Sequence, residues 1–398
     1  MKFLYVSFVS NTKQYSGILK KVVGQTNGAE RLGWDAHYTC VEGNSVVLNT
    51  GKGSPQRKTF ANSLRWRDLQ SAITEKICEF IEDGAYDAIY IKGFLTNPYA
   101  YRAASCAKES NPDCKVIFEI ATYPYWGEYK RFFKVDWKKK DFRAFAGHLL
   151  ETAQHCTTVP RMKRKVDALA VFGQPVEKLW GIPAVTIDNG ITVEGIAPRK
   201  TAGASPGDDI HLLGVAGTSI AHGYFRIVEG LAQYQKSKPG GSPNVFFDIV
   251  GENETIQALK SLASELGIED LVNFLGYKNS QELSELYGKC DAAVSSLGVY
   301  QIGLKYLSPL KSREYCASGI PFIYAYEDTL PPDAPFALKI PNDSSPADIA
   351  AIARFAEGCR RDPQISAQER EFAKDHYDWK IIMKRVLDFA GAAAKDKN

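Results

Sequence analysis

The feature that most restricts the fold is a pattern of short apolar runs, each stopped by glycine or a small polar residue and followed by helical spacing. Phe3 to Val9, His37 to Val41, Asp87-Ala-Ile-Tyr-Ile91 and Lys115-Val-Ile-Phe-Glu-Ile120 are such runs in the first half of the chain. Between them Leu19, Val22, Val23 and Leu32 recur at helical spacing as far as Gly33, and Trp66 to Asp83 and Pro98 to Ser110 read as further helices. Runs that do not alternate need apolar cover on both faces, which helices on the two sides of a parallel sheet supply. Cys156-Thr-Thr-Val159 and Ala184-Val-Thr-Ile187 are expected as the last strands of this series, and residues 49–58 as a loop rich in Gly and Lys.

The pattern then restarts. Residues 198–209, PRKTAGASPGDD, combine Pro, Gly and Ser without apolar periodicity and read as a linker. His211 to Ala216, Val245 to Val250, Val272 to Leu275 and Ala292 to Ser295 form the second series, with helices over 254–266 and 280–289 between them. The expected fold is therefore α/β, with two Rossmann-like domains, 1–197 and 210–377, facing each other across a cleft. A chain of 398 residues, 44% hydrophobic and 24% charged, is long enough for two such cores.

Within the second series, Ser308 to Ile323 (SPLKSREYCASGIPFI) carries the most chemistry. Ser308 suits a helix cap, Pro309 the first helical position, and Gly319 with Pro321 a stop before a buried strand from Phe322. A helix start attracts phosphate through its unpaired N–H groups and partial positive charge. Lys311 adds a cation there, and Glu314, one turn along, suits sugar hydroxyls. Upstream, Gly214-Val-Ala-Gly217-Thr218-Ser-Ile-Ala-His222-Gly-Tyr-Phe-Arg226 is a strand, a glycine turn and a helix start, where Arg226 suits a bidentate phosphate contact. Neither GxGxxG nor GxxxxGK[ST] occurs, which argues against a dehydrogenase and a P-loop NTPase. No Asp-x-Asp pair exists to hold a metal-bound nucleotide sugar.

Together these segments resemble the GT-B glycosyltransferases of the family-4-like retaining group (glycosyltransferase group 1), over nearly the whole chain. Asp291-Ala-Ala-Val-Ser-Ser followed by SPLKSREYCASGIPF resembles that group's donor-site strand and helix, GVAGTSIAHGYFR its donor-domain opening, and Tyr377-Asp-Trp379 with the last helix its C-terminal segment. The resemblance implies that residues 378–398 cross back onto the first domain. It also implies retaining transfer from a nucleotide-diphosphate sugar with no metal and no other cofactor. By it, Glu314 binds ribose, and Arg226, Lys311 and the helix start bind the diphosphate. Gly17 approaches the phosphate from the first domain, Gly217, Thr218, His222, Ser308 and Leu310 line the donor seat, and Gly276 and Tyr277 lie near the base. One departure is Tyr306, which stands eight residues before Glu314 where many relatives carry a glutamate. His222, alone in a glycine turn, reads more readily as a hydrogen-bond partner than as a catalytic acid.

Thr122-Tyr-Pro-Tyr-Trp-Gly-Glu128 follows a strand's C-terminal end, where open α/β sheets place ligands, so Tyr123, Tyr125 and Glu128 are acceptor-side candidates. Glu119 and Glu128 are the only carboxylates flanking that loop; they read more readily as a strand-end and a solvated residue than as a nucleophile.

Charge is uneven. The net +3 is too small to argue for nucleic acid, yet Lys130 to Lys165 carries eleven Lys or Arg against Asp136, Asp141 and Glu151. Lys130, Arg131, Phe133, Lys134, Trp137, Lys138, Lys139 and Lys140 compose a basic, aromatic helix suited to an anionic bilayer surface, or else a solvated helix whose aromatics pack inward. No run of about 18 apolar residues exists, Met1 to Ser10 is no export signal, and the eight cysteines show no metal spacing and read as reduced thiols. These points favour a cytoplasmic enzyme, peripheral on the inner membrane face, that extends a lipid-linked or cell-surface glycan. The rivals are a soluble transferase or nucleotide-sugar epimerase of the same fold and, more distantly, a sugar-binding protein.

Overall fold

The protein is described by a computed structural model covering residues 1–51, 53–61, 65–93, 95–199, 208–215, 220–252 and 254–395. Its chain divides into two compact units, Met1–Thr192 with Asp378–Asn398, and Val193–Tyr377.

The first unit runs β1 (Lys2–Val6), α1 (Ser16–Glu30), β2 (Asp35–Glu42), β3 (Ser45–Thr50), β4 (Gln56–Thr59), α2 (Trp66–Gly84), β5 (Ala88–Ile91) and α3 (Pro98–Ser110). It continues with β6 (Lys115–Tyr123), α4 (Trp126–Lys139), α5 (Phe142–Lys165), β7 (Ala168–Gly173), β8 (Lys178–Leu179) and β9 (Ile182–Ile187). The sheet order is β4-β3-β2-β1-β5-β6-β7-β9-β8. Every pairing from β2 to β9 is parallel, and β3, β4 and β8 add antiparallel edges. Residues 49–58 thus hold the ends of a β-hairpin rather than a plain loop.

Cys156-Thr-Thr-Val159 is not a strand but lies inside α5. The helical period is carried by His155, Thr158 and Met162, which are its buried face, and Thr157 returns its hydroxyl to the Ala153 carbonyl at 3.0 Å. Four residues that suit a strand cannot outweigh that longer period. The strand of this region is Ala168–Gly173. Cys78 on α2 and Cys106 on α3 are joined in a disulfide, so two of the eight cysteines depart from the reduced state expected of them.

The second unit contains β10 (Ile210–Val215), α6 (Phe225–Ser237), β11 (Val245–Val250), α7 (Glu254–Glu265), β12 (Val272–Gly276), α8 (Ser280–Lys289) and β13 (Ala292–Val294). Then come α9 (Leu310–Ser318), β14 (Phe322–Tyr324), β15 (Ala337–Lys339), α10 (Ile349–Arg361), α11 (Ile365–Phe372) and a π-helical turn to Tyr377. All pairings in its sheet, β12-β11-β10-β13-β14-β15, are parallel.

The last helix, α12 (Trp379–Lys395), packs with α1 on one face of the first sheet, where Trp379, Ile382, Met383, Val386 and Ala390 join Tyr5, Tyr90 and Phe172 in a single core. Arg31 reaches Asp378 at 2.7 Å and fixes where this helix starts. The helices approach closely at Gly28, where a Cβ would lie 2.6 Å from the Trp379 carbonyl oxygen. Among the described residues no helix is long and apolar enough to cross a membrane.

Gly28→Ala is expected to destabilise the protein by about 1–3 kcal/mol through overpacking against backbone. Gly391→Ala, where an added Cβ meets nothing within 4 Å, should be neutral or stabilising because alanine favours the helix. Denaturant midpoints for the two variants separate these outcomes, and equal midpoints would contradict the packing at Gly28.

Candidate functional site

The start of α9 is built by an arginine rather than by a cap. Pro309 is the N-cap residue and no side chain accepts from the first-turn N–H groups. Ser308 lies one residue before the N-cap position expected for it, and its hydroxyl accepts from Arg313 at 2.8 Å. Arg313 also donates to both carboxylate oxygens of Asp328, at 2.9 and 2.8 Å, and lies 3.8 Å from the Tyr377 ring centre. With no acidic residue in its first turn, α9 keeps its N-terminal partial charge uncompensated.

Lys311 stands in that first turn. Its ammonium donates to His222 Nδ1 at 2.6 Å and approaches the Tyr224 hydroxyl at 3.4 Å and the Val215 carbonyl at 3.5 Å. Among the described residues no carboxylate pairs with it. Burial pushes the Lys311 ammonium down to about 7, and burial, with Lys311 beside it, pushes the His222 imidazole down to about 3. His222 thus accepts from Lys311 as a neutral imidazole. The Tyr224 hydroxyl, 3.0 Å from the carbonyls of Val215 and Val294, ties the ends of two parallel strands. Gly223, at φ +62°, lets this turn pass directly against Gly298. Gly217 and Thr218 lie outside the described residues.

Arg226 is not part of this seat. Its side chain is 1% exposed, and its guanidinium donates to the carbonyls of Ser345, Leu297 and Pro341 at 2.7, 2.8 and 2.9 Å, with Asp343 at 3.4 Å. Those acceptors leave the diphosphate no access to it, so Arg226 is a loop clamp rather than a phosphate ligand. Glu314 and Leu310 are half-buried on α9. Gly276 ends β12 at φ +69°, beside a cavity of about 250 Å³ lined by Glu252, Lys260 and Phe274, and Tyr277 is 77% exposed. Tyr306 bridges by its backbone to Glu327.

In the first unit, Gly17 is the second residue of α1 and borders open space. Glu119 is fully buried on β6, accepting from Tyr90 at 2.8 Å, Lys92 at 3.0 Å, Tyr5 at 3.2 Å and Lys21 at 3.3 Å. Burial alone would raise its pKa, but the ammoniums of Lys21 and Lys92 more than reverse this and hold it at about 2. A carboxylate so enclosed serves as a counter-ion, and the nucleophile option closes. Lys21 and Lys92 carry no signal in the sequence, since their meeting depends on α1 packing over β5 and β6.

Tyr125 is 4% exposed among Trp126, His155 and Trp180, and its hydroxyl accepts from Trp180 Nε1 at 3.1 Å, so it stiffens the loop instead of offering a free aromatic face. Tyr123 is half-buried and its carbonyl accepts from Gln174 at 2.9 Å. Glu128 falls in the first turn of α4, and its side chain lies outside what is described.

The helices α4 and α5 form a hairpin turned by Lys140 at φ +55° and capped by Asp141, which accepts from the Ala144 N–H at 3.0 Å. Lys130, Arg131, Lys134, Lys138, Lys139, Lys140 and Arg143 are exposed near the turn, beside Trp137 at 65% and Phe142 at 64% exposure. Phe133 is half-buried against Phe145, with ring centres 5.2 Å apart. The basic block divides in space, because Arg161, Lys163, Arg164 and Lys165 end α5, a 24-residue helix about 36 Å long.

Because the folded-state value of Lys311 lies below its ordinary one, the unfolded chain binds more protons between about pH 7 and the ordinary lysine range, and stability rises with pH across that window. Lys311→Met should flatten that slope and raise the melting temperature at pH 7. Binding of a nucleoside diphosphate at pH 8 should draw a proton from buffer, seen as a buffer-dependent calorimetric enthalpy. A lower melting temperature in the variant, or no proton uptake, would contradict an ammonium that a bound anion holds protonated.

Residues 198–325 match the family model described as glycosyl transferases group 1. No curated protein matches the sequence. Among solved structures, a glycosyltransferase from Rickettsia africae ESF-5 is similar over 99% of both chains, with TM-score 0.62 and 12% identity. Trehalose-6-phosphate synthase OtsA is similar over 98% of this chain and 99% of its own, with TM-score 0.58 and 10% identity. WaaG, a glycosyltransferase involved in lipopolysaccharide biosynthesis, has the same coverage at TM-score 0.53 and 12% identity. The match of residues 198–325 to glycosyl transferases group 1 and the likeness of the whole chain to these structures show a GT-B glycosyltransferase fold.

Proposed function

We propose that the protein transfers a sugar from a nucleoside-diphosphate donor, with retention and without metal, to a lipid-linked or cell-surface glycan at the inner face of a membrane. The observation that carries this reading is the Lys311 ammonium, held by neutral partners at the uncapped start of α9. An anion seated there would gain one cation and the first-turn N–H groups. Charge builds on the leaving diphosphate as the glycosidic bond breaks, and a preorganised cation stabilises that charge more than it stabilises the ground state. Retention follows if the departing diphosphate takes the acceptor's proton on the same face, a step that needs no protein carboxylate. Glu314, one turn along, suits the ribose hydroxyls, and the cavity beside Gly276 suits the base.

The basic, aromatic turn of the α4–α5 hairpin supports the membrane half of the reading, as does the likeness to a lipopolysaccharide glycosyltransferase. The likeness to a trehalose-6-phosphate synthase favours a second reading, a soluble transferase with a small acceptor.

A thermal-shift series with UDP, GDP and ADP in chelator tests the donor assignment, and one nucleotide is expected to stabilise the protein. Glu314→Gln should weaken that nucleotide about tenfold, since a hydrogen bond to a charged group is worth about 1.5–3 kcal/mol. A response only with added divalent metal, or none to any nucleotide, would sink the reading. Wild type should co-sediment with anionic but not neutral vesicles. The Lys138→Glu, Lys139→Glu, Lys140→Glu triple variant should remain in the supernatant with its nucleotide response intact. Equal sedimentation of both proteins would favour the soluble transferase.

A further inference from the structure

A second cavity, of about 310 Å³, opens in the first unit between the loop after β5 and the helices around it. Gln70 of α2, Asn97, Tyr99 of α3, Tyr129 of α4, and Glu151 and Gln154 of α5 line it. It lies beyond the C-terminal end of β5, the edge at which open α/β sheets bind ligands.

The walls are fixed by the chain itself. Thr96, 1% exposed at the base, donates its N–H to His155 Nδ1 at 3.2 Å and brings its hydroxyl to 2.9 Å from the same nitrogen. Burial pushes the His155 imidazole down to about 4, so the ring stays a neutral acceptor there. Asn97 accepts from the Ala100 N–H at 2.8 Å and so caps α3, which directs its amide oxygen inward and leaves its NH2 uncommitted. Tyr129 donates to one oxygen of Glu151 at 2.7 Å and orients the carboxylate. Such a cavity needs no rearrangement before it binds.

What remains unsatisfied defines the ligand. Among the described residues the side-chain amides of Gln70 and Gln154, the Tyr99 hydroxyl and the second oxygen of Glu151 take no protein hydrogen bond. Two amides and a phenol both donate and accept, as do vicinal hydroxyls. The tyrosine rings offer apolar faces for the C–H side of a ring. Among the described residues, one carboxylate and no Lys or Arg line the cavity, which disfavours phosphate, nucleotide or any other anion. Its volume, at the small end for ligand pockets, suits a single ring.

We propose that this cavity is a subsite for one neutral pyranose ring of the acceptor glycan, distinct from the ring that receives the new bond. The assignment rests on the transferase reading and gives its acceptor a chemistry. Two of the lining elements are the hairpin helices α4 and α5, so a glycan presented at an anionic surface would meet the cavity beside that surface.

Ligand-observed saturation-transfer NMR on the full chain tests it, with methyl glycosides of glucose, galactose, mannose, rhamnose and N-acetylglucosamine as probes. At least one should receive saturation, undiminished by saturating UDP, GDP or ADP. Gln154→Ala and Glu151→Gln should each weaken it about five- to tenfold, by the loss of one or two hydrogen bonds. Tyr99→Phe, which removes one hydroxyl and no packing, should weaken it as well and guards against a variant that fails to fold. No transfer to any probe, transfer unchanged in all three variants, or displacement by nucleotide would overturn the subsite while the nucleotide response keeps the transferase reading. Absence of any nucleotide response, with transfer intact, would overturn the transferase reading and leave the sugar site.

Discussion

Arg313 has no exposed surface, and neither has the Asp328 carboxylate that accepts from it twice. Two charges removed from water are held only if nearly every donor and lone pair is used, and removing one partner of such a pair typically destabilises a protein by about 3–5 kcal/mol. Here the guanidinium also reaches Ser308, just ahead of α9, and lies against Tyr377 at the end of the π-helical turn. One side chain therefore sets where α9 begins, where the loop after β14 lies and how the second unit closes. Ser308 is engaged in this pair, and Pro309, the N-cap residue of α9, offers no side-chain cap. The same ion pair that stabilises the unit stands just ahead of the helix start at which the donor anion is proposed to bind.

Acceptor count separates structural cations from the one proposed to act. Arg226 has three carbonyls and a carboxylate, and Arg313 has a carboxylate and a hydroxyl. Lys21 and Lys92 share the single Glu119 carboxylate, which leaves one excess positive charge in partly dry surroundings. Lys311 has only an imidazole nitrogen, a phenol and a carbonyl, all neutral. Neutral acceptors lower the penalty of burial without cancelling the charge. An ammonium in that state gains more from an incoming anion than one already paired.

The alternation of strands and helices was legible because each buried run is several residues long and bounded by a glycine or a polar turn. The segment around α9 was legible for the same reason, its strand signal beginning just after Gly319. Cys156-Thr-Thr-Val159 misled because four residues fit either period, and only the burial of His155, Thr158 and Met162 decides between them. Arg226 misled for a different reason. Its place at the first turn of α6 is visible in sequence, but its acceptors lie about 70 to 120 residues onward, in loops whose approach no local pattern encodes. Glu119 and its lysines are equally non-local.

The α4–α5 hairpin shows how the fold divides a pattern that the sequence presents as one. Its basic and aromatic residues read as a single block from Lys130 to Lys165, yet α5, 24 residues and about 36 Å long, carries the last four cations to the end away from the turn. The turn end retains the cations able to act together on one surface, since attraction to an anionic leaflet fades within a Debye length of about 8–10 Å. The inner faces are stiffened by Phe132 stacked on His148 at 5.2 Å and by the His148 contact with Asp136 at 2.7 Å. That stiffness couples the turn to the cavity. Tyr129, Glu151 and Gln154 project from the same helices into the cavity beside β5, so a hairpin resting on a charged surface also fixes the height of that cavity above it. A lipid-linked glycan has its charge and its sugars at set distances along one chain. On the proposed reading, a rigid element that met both would select acceptors by spacing as well as by hydrogen bonding, independently of α9.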